Sequence, residues 1–135
     1  MVSNALFLLQ IKTPAAYQII TNNIEIIDES THSGMEASIT HPTFDLNDRS
    51  AYFSPTWCAG VIAHDSFHSK LYHDYQKSHA GKMPDDVWIG HAAEQKCLKH
   101  QTQVLQEIGA PKAEIDYCAA ISPAYADVPY TNRNW

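Results

Sequence analysis

The stretch SPTWCAGVIAHDSFHSKLYHDYQKS, residues 54–78, decides the fold, because it predicts a long helix that carries most of the polar chemistry of the chain. Ser54 can cap such a helix, and Pro55 suits its first turn. Beyond them, one set of side chains recurs at spacings of three and four, as on one face of an α-helix. This face consists of Trp57, Val61, His64, His68, Leu71, Tyr72 and Tyr75. We therefore expect a helix that ends near Ser78.

The length and composition of the chain predict a single domain over residues 1–135. A chain of this length can bury a core that needs no disulfide bonds or metal ions to stabilise it. Of its residues, 44% are hydrophobic and 18% are charged, which is a globular composition. The formal net charge is −6 and the basic residues are scattered, so we expect no nucleic-acid partner. The three cysteines, Cys58, Cys97 and Cys118, form no CxxC pair, and we expect them to be buried thiols. One disulfide bridge with one free thiol is the alternative.

The N-terminal sequence MVSNALFLLQIK gives no sign of export or of membrane insertion. Its apolar run is shorter than a membrane span, and it lacks the basic segment of a signal peptide. We therefore expect no membrane partner and a cytoplasmic location by default. A domain cut from a secreted effector is the alternative.

The N-terminal half of the chain predicts a small sheet with one helix. Thr13 can cap a helix that Pro14 opens and that covers residues 15–23. Residues 29–55 are long and polar for a plain loop, which indicates a hairpin or irregular β-structure. The expected strand pieces are residues 5–11, 24–28, 35–40 and 43–46.

The C-terminal half predicts two further helices. Asp85 or Asp86 can cap a second long helix, and Gly109 is a suitable stop for it. Its inner stripe would consist of Val87, His91, Glu94, Leu98, Thr102, Leu105 and Ile108. Pro111 then opens a short helix to about Ala120, and a turn-rich aromatic tail follows. The order of elements predicts an α+β fold, with an N-terminal sheet and a helical C-terminal half.

His64 and His68 are four residues apart on one helix face, so their imidazoles project side by side. They lie between Val61 and Leu71 on an apolar stripe, where neutral imidazoles need hydrogen-bond partners or a metal ion. Glu94 lies on the inner stripe of the later helix, and a carboxylate is rarely buried unless it is paired or binds a metal. Two histidines and one carboxylate are the protein ligands of a catalytic zinc site, with the fourth position left to water.

Asp65 follows His64 directly and lies at the margin of the same helix face. A zinc ion lowers the pKa of a bound water molecule towards about 7. A neighbouring carboxylate can then take the proton and deliver it to a leaving amine. Asp65 is therefore the candidate general base.

The segment HDSFH, residues 64–68, followed by Glu94 on a later helix, resembles the zincin metallopeptidases, and more narrowly the glutamate-zincin pattern of HExxH with a downstream glutamate. The resemblance covers residues 57–109. It implies that both histidines and Glu94 bind zinc, that Asp65 is the general base, and that a small sheet lies beside the histidine-bearing helix. The usual glutamate is Asp65 here, shorter by one methylene group. Cys97 stands where a small apolar residue is usual.

The sequence thus predicts a zinc-dependent hydrolase, a small metallopeptidase that cleaves a peptide or protein substrate with Zn²⁺ as its cofactor. The shorter Asp65 keeps a second hypothesis open, a zincin-like module that binds metal or a protein partner with little or no hydrolysis. A positioning error near 1 Å can cost on the order of a hundredfold in rate.

Glu94 also has an interpretation that needs no metal, namely a structural ion pair between packed helices. Its partner would be His91, His68 or Lys70. His91, three residues before Glu94, could alternatively orient a ligand or fill the core. We favour these two roles for His91 over direct metal binding.

The doublets His64-Asp65 and His73-Asp74 are also typical of metal-dependent phosphohydrolases. Further ligands for such a site would be Asp85, Asp86 and Asp116. That fold is all-helical and usually larger, so the expected strands oppose it. We expect His73 and Asp74 to lie on the solvated surface.

The aromatic residues provide further candidates. The possible oxyanion donors are Tyr72, Tyr117, Tyr125 and Tyr130, and the sequence does not select one of them. The expected packing residues are Trp57, Trp88 and Trp135.

Overall fold

The chain folds into an α+β arrangement in which helices surround one central helix and a small sheet lies on one side. The computed structural model describes residues 1–133, except for the side chain of Tyr130. Within these residues the α-helices are α1 (Val2–Lys12), α2 (Pro14–Asn23), α3 (Asp48–Phe53), α4 (Pro55–Ser78), α5 (His91–Glu107) and α6 (Lys112–Ala120). The strands are β1 (Ile26–Ser30), β2 (Gly34–Glu36) and β3 (Thr43–Asn47). Short 3-10 turns lie at Asp85–Val87, Pro123–Asp127 and Tyr130–Asn132. The predicted α+β class is confirmed, although helices dominate it.

Helix α4 begins and ends where the sequence predicts. Ser54 Oγ accepts a hydrogen bond from the backbone N–H of Trp57 at 2.9 Å, Pro55 is the first helical residue and Ser78 is the last. Helices α1, α2 and α5 and the sheet pack around α4. Much of the helix is therefore buried, including the small polar side chain of Ser66.

Helices α4 and α5 approach each other closely at Gly60. A Cβ atom added to Gly60 would lie 2.8 Å from Leu105 Cδ2, which is closer than van der Waals contact allows. Glycine therefore lets the two helices lie together one turn before His64. Helix α5 is entered through Gly90, whose φ of +85° favours glycine. This close approach sets the distance between the polar side chains that face each other from the two helices.

The sheet has the strand order β1-β3-β2, with β1 parallel to β3 and β2 antiparallel to it. Strand β3 is the middle strand, and its Phe44 and Leu46 side chains are in the core. Gly34 of β2 lies opposite Asp45 of β3. Strand β2 is an edge strand of this sheet and lies beside α4.

The prediction of a strand at residues 5–11 is wrong, because these residues belong to α1. A short continuous apolar run fits a buried strand and a buried helix equally well. Ala5 and Leu9, four residues apart, are buried, whereas Phe7 and Ile11 are exposed. The burial thus follows the period of a helix.

The other N-terminal predictions hold with shifted boundaries. The predicted helix over residues 15–23 is confirmed as α2, residues 43–46 lie in β3, and residues 24–28 and 35–40 overlap β1 and β2 only in part. Thr13 is the N-cap residue of α2, but its side chain does not cap the helix. Its hydroxyl instead donates a hydrogen bond to Glu107 Oε2 at 2.6 Å, which ties the start of α2 to the end of α5.

The second long helix begins later than predicted. Asp85 and Asp86 lie in a 3-10 turn and do not cap α5, which starts at His91. The positive φ of Gly90 separates this turn from the helix. The predicted inner stripe is buried at Glu94, Leu98, Leu105 and Ile108, but Ala93, Cys97, Gln101 and Val104 are buried as well.

The C-terminal part agrees with the sequence in its main features. The third predicted helix is α6, with Pro111 as its N-cap residue, and all three cysteines are buried thiols. The tail after α6 lies against α5 through the Pro123–Asp127 turn. Across residues 1–133, none of the helices combines the length and the apolar character that crossing a bilayer requires.

Glu114 anchors α6 to the beginning of α4. Its carboxylate is buried and accepts hydrogen bonds from Ser54 Oγ at 2.7 Å and from Thr56 Oγ1 at 2.6 Å. Hydrogen bonds to a charged acceptor contribute more than neutral ones, and their loss leaves two hydroxyl groups without this partner.

We expect Glu114→Ala to lower the free energy of unfolding by about 2–3 kcal/mol, as measured by urea denaturation. Asp116→Ala is the matched control, because Asp116 is exposed on the same helix and pairs with the exposed Lys112. The control should change the free energy by less than about 1 kcal/mol. Equal losses in the two variants would contradict the anchoring role.

Candidate metal centre

Helices α4 and α5 bring together the three residues that the sequence predicts as metal ligands. His64 and His68 lie on adjacent turns of α4, and Glu94 lies in the first turn of α5. Glu94 Oε1 is 2.7 Å from His64 Nε2, and Glu94 Oε2 is 3.1 Å from His68 Nε2. The two Nε2 atoms are 3.2 Å apart. All three side chains are buried.

The second ring nitrogen of each histidine is held by a carbonyl oxygen. His68 Nδ1 is 2.5 Å from the backbone oxygen of Trp88, and His64 Nδ1 is 2.9 Å from Gln101 Oε1. A carbonyl oxygen can only accept a hydrogen bond, so each Nδ1 carries the hydrogen. In the neutral imidazole Nε2 is then unprotonated, and its lone pair is directed towards the centre of the site.

Two imidazole lone pairs and the Glu94 carboxylate therefore meet at one buried point. Acceptors this close repel one another unless a proton or a metal ion lies between them. Histidines that bind metals typically donate their other ring N–H to a carbonyl or carboxylate, which fixes the ring orientation. His64 and His68 each make such a hydrogen bond through Nδ1, so the site can hold a divalent cation.

The electrostatics of the site keep Glu94 ionised. Burial alone would raise the pKa of Glu94, but the hydrogen bonds from His64 and His68 outweigh it and lower the pKa to about 2. Burial also lowers the pKa of His68, yet its hydrogen bonds with Cys97 and Glu94 bring it well above the ordinary histidine value. In the metal-free protein a proton on His68 thus compensates the Glu94 charge, and a metal ion would displace it.

Cys97 is a further donor at this point, and the sequence did not single it out as a ligand. The ligand atoms of His64, His68 and Cys97 all lie within 4.8 Å of one another. Cys97 follows Glu94 by three residues, so both occupy the same face of α5. That spacing was the signal that could have identified it. Burial raises the pKa of the Cys97 thiol, which favours the neutral thiol when no metal is bound.

Asp65 lies beside the histidines and is half-buried, at the edge of the cleft that leads to the site. Burial raises the pKa of Asp65, and the negative charge of Glu94 adds to the effect, while His64 and His68 oppose it. A carboxylate with a raised pKa holds a proton more readily and is a stronger general base. Asp65 thus lines the same cleft as the three predicted ligands.

One cleft of about 730 Å³ opens onto the site, and His64, Asp65, His68 and Glu94 all line it. Its walls come from strands β2 and β3, from helices α4 and α5, and from the segment after α6. The volume is in the range of clefts that accept small ligands or a stretch of peptide. The site is therefore buried but connected to solvent.

Tyr125 is the tyrosine candidate that the structure places at the site. Its hydroxyl donates a hydrogen bond to Glu94 Oε1, and its side chain lines the cleft. The hydrogen bond orients the carboxylate that faces the histidines. Tyr125 lies in the Pro123–Asp127 turn, so the C-terminal tail contributes directly to the arrangement of the site.

The remaining aromatic candidates have other surroundings. Tyr72 packs edge-on against Trp88, and Tyr117 packs edge-on against Trp57. Both tryptophans are thus packed against aromatic neighbours as predicted, and both also line the cleft. The side chain of Tyr130 and the whole of Trp135 lie outside the part of the chain that the structure describes.

The other polar candidates lie away from the metal centre. His91 is exposed, with Nδ1 3.4 Å from Asp127 Oδ2, which fits neither a core residue nor a residue that orients a ligand. Asp74 is exposed as predicted, whereas His73 is half-buried near Asn23. The three further aspartates of a phosphohydrolase-type site are exposed and outside the cleft lining: Asp85, Asp86 and Asp116.

Comparisons of this chain with protein-family models, with curated proteins and with solved structures found no match. The functional argument therefore rests on the geometry and chemistry of the site. Those features are the oriented imidazoles of His64 and His68, the buried Glu94 carboxylate, the Cys97 thiol and the cleft.

Gln101→Ala tests whether the hydrogen bond that orients the His64 imidazole contributes to metal binding. Losing the acceptor for His64 Nδ1 should weaken zinc affinity by about 10–100-fold, because the ring is no longer fixed in orientation and tautomer. Competition with a chromophoric chelator measures this. Gln106→Ala is the control, since Gln106 is exposed on the same helix. An unchanged affinity in Gln101→Ala would show that this hydrogen bond does not support a metal site.

Proposed function

We propose that this chain is a zinc-dependent hydrolase and, more narrowly, a small metallopeptidase. In this proposal His64, His68 and Glu94 hold the zinc ion, and Asp65 is the general base. One observation carries the proposal. The Nε2 atoms of His64 and His68 and the Glu94 carboxylate lie within 3.2 Å of one another in a buried site that opens to a cleft.

The donor set favours zinc in a catalytic arrangement. Imidazole nitrogen and carboxylate oxygen are good zinc ligands, and catalytic zinc sites use three protein ligands so that one position remains for water or substrate. Imidazole also suits copper, iron and nickel, so the identity of the metal has to be measured. The cleft gives the solvent access that a catalytic site needs and a closed structural site does not.

Zinc bound there would lower the pKa of a water molecule towards about 7 and polarise a substrate carbonyl. The chain's own residues supply the remaining steps. Asp65 accepts a proton from the attacking water and passes it to the leaving amine. Gln101 and the Trp88 carbonyl keep the imidazoles of His64 and His68 in the orientation that binding requires.

The cleft favours an extended peptide as the substrate. Strand β2 is an edge strand, and its residues Gly34–Glu36 line the cleft. An edge strand offers unpaired backbone groups with which an extended chain can form hydrogen bonds. The scattered basic residues give no face that would attract a polyanion. The position of the sheet beside the histidine-bearing helix also supports the resemblance to zincins that the HDxxH pattern suggests.

A second candidate function follows from Cys97, namely a structural metal site without catalysis. If the Cys97 thiolate binds the ion together with His64, His68 and Glu94, four protein ligands close the coordination shell. No position is then left for water. The shorter side chain of Asp65 would also be of no consequence. This candidate is a metal-binding module that acts through a protein partner or through stability alone.

The metal content of the purified protein tests the ligand assignment. We expect stoichiometric zinc in the wild type, and a loss of most of it in His68→Ala and in Glu94→Ala, because each removes a ligand. His91→Ala is the control, an exposed histidine outside the site. Elemental analysis after dialysis against a weak chelator gives the stoichiometry. Zinc retained in full by Glu94→Ala would remove Glu94 from the ligand set.

Asp65→Asn tests the general base. The amide cannot take a proton, so peptide hydrolysis should fall by about 10²–10⁴-fold while the bound zinc is unchanged. Asp65→Glu extends the carboxylate by one methylene and should raise the rate if reach limits the wild type. Hydrolysis is measured with a quenched fluorescent peptide. Zinc-loaded protein that is inactive with either carboxylate would favour the structural module instead.

A further inference from the structure

Three aromatic side chains form a cluster on the surface next to the proposed active-site cleft. Trp57, in the first turn of α4, is at its centre. The ring centroids of Phe53 and Trp57 are 6.3 Å apart at 69°, and those of Trp57 and Tyr117 are 5.5 Å apart at 64°. Such edge-on arrangements are the favourable ones for aromatic pairs. We refer to Phe53, Trp57 and Tyr117 as the aromatic cluster.

The outer two residues of the aromatic cluster are unusually exposed. Phe53 is 69% exposed and Tyr117 is 64% exposed, although both are held in place by contact with Trp57. With Ala113 and Ser50 they line a cavity of about 460 Å³. A cavity of this size accommodates a large side chain. Rigid aromatic walls bind such a group at low entropic cost.

Glu114, which also lines this cavity, does not make it an anionic site. Its carboxylate already accepts hydrogen bonds from Ser54 and Thr56, so its charge is satisfied from within the fold. The surfaces that the aromatic cluster offers are ring faces and edges. Arg49 also lines the cavity, and its positive charge disfavours a basic occupant. An aromatic or large aliphatic group, which can pack against the rings, therefore fits the cavity better than a basic one.

The cavity adjoins the cleft of the candidate metal centre. Trp57 and Ser50 line both of them. Trp57 precedes His64 by seven residues on the same helix, which corresponds to about 10 Å along the helix axis. An extended peptide advances about 3.3 Å per residue. Its third residue from the metal centre would thus reach the aromatic cluster.

We infer that the aromatic cluster is a specificity pocket of the proposed peptidase, and that it binds an aromatic or large aliphatic side chain about three residues from the cleaved bond. The inference rests on the proposed function, because the distance is counted from the metal centre. Phe53 and Tyr117 determine specificity, and Trp57 connects their pocket with the cleft. The occupant is a side chain of the substrate peptide.

A degenerate peptide library, digested by the zinc-loaded full chain and read by mass spectrometry, tests the inference. Wild-type protein should enrich aromatic residues at the third position from the cut bond, on one side. Phe53→Ala and Tyr117→Ala should each reduce the ratio of kcat/KM for a phenylalanine peptide to kcat/KM for its alanine counterpart by about tenfold or more. Both residues are exposed, so their truncation is compatible with folding.

Tyr52→Ala is the matched control. Tyr52 is adjacent to Phe53 on α3 and is 61% exposed, but it does not line this cavity. The control should keep the wild-type preference for phenylalanine. Cleavage without any aromatic preference, or a preference that Phe53→Ala leaves unchanged, would overturn the inference while the proposed hydrolase function stands.

A peptide-binding measurement tests the specificity pocket independently of the proposed hydrolase activity. If the zinc-loaded protein cuts no library peptide, the proposed function fails and the pocket is judged by fluorescence anisotropy with labelled peptides. A phenylalanine peptide should then bind more tightly than its alanine counterpart, and Phe53→Ala should remove the difference. Equal binding of the two peptides to the wild type would overturn the pocket as well.

Discussion

The convergence of His64 Nε2, His68 Nε2 and the Glu94 carboxylate is the interaction on which the rest of the structure depends. These three groups can be buried together only if a proton on a histidine or a metal ion compensates the charge of the carboxylate. The fold keeps them there through the close approach of α4 and α5 at Gly60 and through the two carbonyl oxygens that hold the imidazoles.

The sheet, the C-terminal tail and helix α4 all contribute side chains or backbone to the space around these three residues. The sheet lies beside α4 with its edge strand towards the cleft, and the tail brings Tyr125 to Glu94. Asp65 faces the same space without belonging to the group of three. Trp57, which belongs to the aromatic cluster, also lines the cleft. The candidate metal ligands, the Asp65 carboxylate and the cleft thus lie along one side of α4.

The sequence predicted the parts of this arrangement that depend on local patterns. The cap at Ser54, the length of α4 and the spacing of His64 and His68 are local, and all were readable. Glu94 was recognisable because a carboxylate on an apolar stripe needs a partner. The start of α5 was misplaced because Asp85 and Asp86 resemble caps, while the turn at Gly90 decides the boundary. Tyr125 and Gln101 could not be assigned, because their roles depend on tertiary contacts from distant parts of the chain.

The central claim is that the site holds a metal ion and leaves one coordination position open. X-ray absorption spectroscopy at the zinc edge on the zinc-loaded protein tests this most directly, because nitrogen or oxygen ligands and sulfur ligands give different distances. An open site held by His64, His68 and Glu94 should give a shell of nitrogen and oxygen atoms at about 2.0–2.1 Å without sulfur. A full sulfur contribution at about 2.3 Å, absent in Cys97→Ser, would contradict the open site and establish a closed one.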